Sequence, residues 1–148
     1  MKSIFLGFRG LFMDTDIDQA SELYSAFELN RERLQLTQEK TAKAAKVVTN
    51  ILEFWELKHS PVHSLFKEEL SKYELSSEYE FSDEFVFVAS LILGIYADLR
   101  KLFLQSVHHL EWMNSPHNHL EDDQPSKLIA SGNPKHIEKV RNFIRSSL

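Results

Sequence analysis

His108, His109, His117 and His119 crowd into a short stretch of the chain, and Asp122 and Asp123 follow directly after it. His117-x-His119 with an aspartate has the donor types of a divalent-metal site, and the adjoining aspartates have those of a carboxylate pair. The spacing decides against both. Structural zinc sites take thiolates and metalloprotease zinc a helical His-Glu-x-x-His pattern, and this chain has neither, with 0 Cys. Acid-base work needs two groups whose environments push their pKa values apart, which neighbouring aspartates in a polar stretch do not offer. Nucleophile motifs, phosphate-cradling loops and dinucleotide fingerprints are also missing, and 4 Gly in the whole chain leave little room for one. The expectation is a protein with no catalytic residue, no metal site and no cofactor.

These residues belong to one irregular segment, Glu111 to Ile129, bracketed by Pro116 and Pro125 and edged by Trp112, Leu120 and Leu128. Irregular stretches of this length inside a helical chain concentrate function, so the elements around it matter. Hydrophobic residues make up 43% of the 148 positions, including 11 Phe, enough for a real core. A formal charge of −5 gives no overall basic field for nucleic acid. The lack of Cys fits a cytoplasmic protein most simply. The longest apolar run, Phe85 to Tyr96, is too short to span a bilayer, so no membrane partner is expected.

Few glycines and prolines and little period-2 alternation predict an all-α fold. Residues 1–14 read as an apolar arm rather than a signal peptide, because Arg9 breaks the run and no small-residue cleavage site follows. Residues 15–75 read as a helical module. Its first helix starts at Asp16 or Asp18 and runs to about Leu34, burying Ala20, Leu23, Phe27 and Leu34. Two short helices with a tight turn are then expected across 37–55, the first capped by Thr37 and the second by Thr49 or Asn50. Ser60-Pro61 opens another helix to about Tyr73. Glu74 to Phe81 reads as a linker. A second module, 82–148, begins where Ser82-Asp83-Glu84 caps a long central helix to about Gln105. Phe85, Val88, Ile92, Ile95 and Leu99 follow the 3, 4 spacing of a buried seam. A short helix over 106–113 and a last one from Pro134 to about Ser146 complete the prediction.

Leu36, Thr37, Gln38, Glu39, Ala42, Val47, Leu52 and Trp55 fall on the pattern of the helix-turn-helix of Xre (Cro-like) repressors, which this stretch resembles. Lys46 stands at the usual turn glycine and Val48 at the usual capping serine. The resemblance implies operator DNA as a partner, with Thr37, Gln38, Lys43, Thr49 and Asn50 as the contacts. A regulator of this kind with no toxin partner is the alternative reading of the whole chain.

Trp112, Met113, Pro116, Leu120, Pro125, Leu128 and Ile129 meet, without an insertion, the pattern W-[LM]-x-x-P-x-x-x-L-x-x-x-x-P-x-x-L-[LI]. In this the chain resembles the toxin-binding domain of the Xre/MbcA/ParS antitoxin family over about residues 83 to 145. The resemblance implies a homodimeric antitoxin that neutralises a RES-domain, NAD-consuming toxin by obstructing its cleft. It places the contacts on the C-terminal helix, at Lys135, Lys139, Arg141, Arg145 and Leu148. Where the family pattern carries a glycine pair after the leucine, this chain has Glu121-Asp122, which predicts a differently shaped or more open turn.

Overall fold

Residues 88 to 99 are buried without exception, so the helix that carries them is covered on every side. This helix is α3, Asp83–Leu102, in a computed structural model that describes residues 38–76 and 78–148, together with Ala20 and Leu23. The described chain is all-α, with no strand among those residues. Before α3 come α1 (Gln38–Phe54) and α2 (Pro61–Leu75). After it come α4 (Ser106–Met113), a 3-10 turn over Asn118–Leu120, α5 (Pro125–Ala130) and α6 (Pro134–Arg145). No described helix is long and apolar enough to cross a membrane.

Local chemistry explains the helix ends. The Ser82 hydroxyl accepts from the backbone N–H of Phe85, and Asp83 and Glu84 sit at the positive end of the dipole. Ser60 accepts from the N–H of His63, with Pro61 at the first helical position, where its missing donor costs nothing. Phe103 caps the end of α3, so that helix stops before the expected Gln105.

α1 departs from expectation. It is one uninterrupted 17-residue helix rather than two short helices with a turn. Lys46 lacks the conformational freedom a tight turn draws on, and Val47, Val48, Ile51 and Leu52 continue a single buried stripe through the predicted break. The Thr49 hydroxyl donates back to the carbonyl of Lys46 at 2.7 Å, so it stays inside the helix instead of capping a new one. The real break comes at Glu56, whose φ of 64° is left-handed; the N–H of Leu57 then closes on the carbonyl of Leu52 at 2.8 Å. Of the first predicted helix, only Ala20 and Leu23 are described, and Ala20 is buried in the core. The arm over 1–14, and Thr37, lie outside the described residues.

The packing puts α6 along α3 and α1 against both α2 and α3, while α5 bridges α2 and α6. One cluster of buried side chains runs from Val48 and Ile51 on α1 through Phe66 on α2 and Ile92 on α3 to Ile144 on α6. Phe81, in the connection before α3, is buried too and stacks on Phe85 at 5.1 Å between ring centres. Each such large apolar side chain removed from water contributes about 1.5–3 kcal/mol. Gly132, at φ 73°, turns the chain from α5 into α6 in the left-handed conformation that glycine adopts most easily.

Candidate partner-binding surface

The segment between α4 and α6 is folded down onto this core rather than looping out. Met113, Leu120 and Ile129 are fully buried, and Pro125 and Leu128 are buried as well. Pro125 occupies the first position of α5, so it starts a helix and turns the chain at once. Pro116 is exposed. Trp112 is half-buried and packs against the core, while Met113 beside it is fully buried. The indole lies 4.8 Å from the His117 ring and 5.8 Å from Phe143 of α6, and His119 stacks on the other side of Phe143 at 5.2 Å. These rings pin the segment to α6 from outside while the aliphatics hold it from within.

Between them the chain closes a tight turn. The N–H of His117 donates to the carbonyl of Asp123, and the N–H of Asp122 donates to the carbonyl of His117 at 2.9 Å. Glu121 and Asp122 are both left-handed, at φ 57° and 65°. The turn is closed rather than open. The backbone takes the conformation a glycine pair favours, without the glycines. Asp122→Gly is expected to raise unfolding free energy by about 0.5–1 kcal/mol, because the side-chain penalty of that conformation disappears. A urea titration of the two proteins reads the difference.

The histidines do not converge. His109 faces the core and accepts a hydrogen bond from Trp55 Nε1 at 2.8 Å, whereas His117 and His119 lie on Phe143 and His108 is exposed. The His117 Nε2 meets the carbonyl of Trp112 at 2.9 Å and so carries the proton. Burial pushes His109 down to about 3, with the nearby Arg100 charge adding to the effect.

The cations expected on α6 separate into different roles. Lys135 and Arg145 are exposed, and so is Leu148. Lys139 is half-buried and paired with the exposed Glu121, which holds that carboxyl below its usual range. Arg141 points inward and is paired with Asp98 of α3, both side chains being almost wholly shielded from water. Its placement in a partner contact is corrected accordingly: it is a core residue. Burial lowers Arg141 to about 10 and raises the Asp98 carboxyl, the latter opposed by Lys101 and Arg145. The ion pair escaped the sequence reading because Asp98 sits among apolar residues as an isolated acid. That isolation was itself the signal, since a carboxylate in a buried helix needs a partner.

On α1, Lys43 is exposed, but Thr49 is buried and Asn50 half-buried, so these expected DNA contacts do not share a surface. Gln38 is engaged as well: its Oε1 accepts from the N–H of Phe81 at 2.9 Å. A cavity of about 250 Å³ opens beside Glu69, Tyr79 and Phe85. Within it Glu69 is already occupied, by the Tyr79 hydroxyl at 2.6 Å and by Lys72 at 3.2 Å. Among the described residues no group of His, Asp and Glu gathers as it would around a metal ion.

Comparison with protein-family models, with curated proteins and with solved structures finds no match.

Proposed function

We propose that this chain is a non-catalytic binding protein, the antitoxin of a type II toxin-antitoxin system. Its partner on this reading is a RES-domain, NAD-consuming toxin whose cleft it obstructs. The observation that carries the reading is the turn after Leu120. The family pattern places a glycine pair there, and here Glu121 and Asp122 adopt left-handed conformations that non-glycine residues rarely take. Support also comes from the burial of Met113, Leu120, Pro125, Leu128 and Ile129, the apolar and turning positions of the same pattern. On this reading the segment is a brace. It fixes α6 against α3 and leaves Lys135, Arg145 and Leu148 outside for the partner. A cationic helix end with apolar neighbours suits a partner surface that sets carboxylates beside apolar side chains.

The regulator alternative retains one observation, the exposed Lys40, Lys43 and Lys46 along the outer side of α1. Such a row would touch phosphates rather than read base edges, because Thr49 behind it is buried. Autoregulatory operator binding by the antitoxin would use that same row.

Co-expression with a RES-domain toxin, where the neighbouring gene encodes one, is expected to give one complex that survives size-exclusion chromatography and to restore growth. Separate elution, with toxicity unrelieved, would sink the reading.

A further inference from the structure

Large aliphatic side chains rarely stand in water without a reason when they cluster. Leu104 is 97% exposed, in the connection between α3 and α4, with Val107 at 56% as the second residue of α4 and Leu102 also exposed at the end of α3. Leu148, just past α6, is 59% exposed. These positions belong to one end of the molecule, because α3 and α6 finish together. Asp98 near the end of α3 is paired with Arg141 near the end of α6, and its carboxylate lies within electrostatic reach of both Lys101 and Arg145. The end face thus joins four exposed aliphatics to two exposed cations.

Its charge says what covers it. From residue 99 to residue 110 there is no carboxylate, although the whole chain carries a formal −5. A second copy docking across a twofold would bring Lys101 and Arg145 toward their own counterparts, while the acid nearest them, Asp98, is buried and already paired with Arg141. Gln105 and Ser106, interleaved with the aliphatics and exposed, ask for hydrogen-bonding partners that a protein interface supplies and lipid chains do not.

We infer that this end face, built from Leu102, Leu104, Val107 and Leu148 with Lys101 and Arg145, docks a partner protein through an apolar groove rimmed by carboxylates. The inference rests on the antitoxin reading for the partner's identity. It moves the centre of the contact from the exposed flank of α6, at Lys135 and Lys139, to the shared end of α3 and α6.

The test is the affinity of the purified full-length chain for the RES-domain partner. The double variant Leu104→Glu/Val107→Glu is expected to bind about 100-fold more weakly, since charges would enter the centre of an apolar contact. Lys101→Glu is expected to weaken binding too, with a reduced salt dependence. Lys67→Glu, an exposed position on α2 away from this face, is expected to stay within about threefold of wild type. All these positions have exposed or half-exposed side chains, so unchanged thermal melting serves as the folding control. If wild type binds and the Leu104→Glu/Val107→Glu variant binds equally well, the end face is overturned while the antitoxin reading stands. If wild type does not bind, the parent reading falls and the inference with it. A wild-type dimer in sedimentation velocity that this variant dissolves would give the face to a second copy and overturn the proposal. Cosedimentation with phosphatidylserine vesicles, lost in the same variant, would give it to a membrane and do likewise.

Discussion

Arg141→Ala lowers the unfolding free energy by about 3–5 kcal/mol, because it leaves the Asp98 carboxylate buried without its cation. Against the roughly 5–15 kcal/mol typical of a domain this size, that is a large share of the total stability. The urea midpoint should fall sharply, and Asp98→Ala should do nearly as much harm by stranding the guanidinium. The double replacement Asp98→Leu/Arg141→Met should recover most of the loss, within about 1–2 kcal/mol of wild type, since the desolvation cost of both ions vanishes together. Equal damage from the single and double variants would show that the pair contributes packing shape rather than charge balance. The same residues bear on partner binding. Any loss of binding in Arg141→Ala would follow from α6 coming away from α3, not from a lost contact with the partner.

Acid should destabilise this protein through His109. The folded ring sits at about 3 because burial disfavours the imidazolium, while the unfolded ring titrates at its ordinary 6.5. Between those values the unfolded chain holds a proton that the folded chain does not, so stability is full above 6.5 and falls as pH drops toward 3. The slope is about 1.4 kcal/mol per pH unit where the difference is complete, and a drop from about pH 7.5 to about pH 5.5 should cost on the order of 1 kcal/mol. Urea titrations at those two values check it. His109→Gln keeps an acceptor for Trp55 Nε1 without the titration, so it should flatten that pH dependence. Trp55→Phe attacks the other side of the bond and should cost about 1–3 kcal/mol at neutral pH, by leaving the His109 acceptor unmatched.

The core of the fold was legible because its signals were periodic and local. The seam from Phe85 to Leu99, the Ser82 and Ser60 caps and Pro61 each state their structure within a few residues, and the helices formed there. What was not legible depended on distant contacts. The stretch from Gln38 to Phe54 matches a pattern that ordinarily breaks at a glycine. With Lys46 at that place and Val47 and Val48 buried, nothing stops the helix until Glu56. Arg141 looked like one of several surface cations, because helical phase on α6 alone does not reveal Asp98 on another helix. Which of Trp112 and Met113 goes deeper is hidden in the sequence for a related reason. Neighbouring positions on a short helix differ by about 100° in direction, and only the position of α6 decides which of them faces inward. The turn at Glu121 and Asp122 was misread because sequence chemistry argues against left-handed carboxylate residues, while the closure from His117 to Asp123 imposes them.

The antitoxin proposal is tested most directly by the rate of NAD consumption of a purified RES-domain toxin, the partner proposed for this protein, as the protein is titrated in. The account predicts that consumption falls to background once the partner is saturated, and that the Leu104→Glu/Val107→Glu variant fails to suppress it at the same concentrations. NAD consumption that continues undiminished in excess wild-type protein would contradict it.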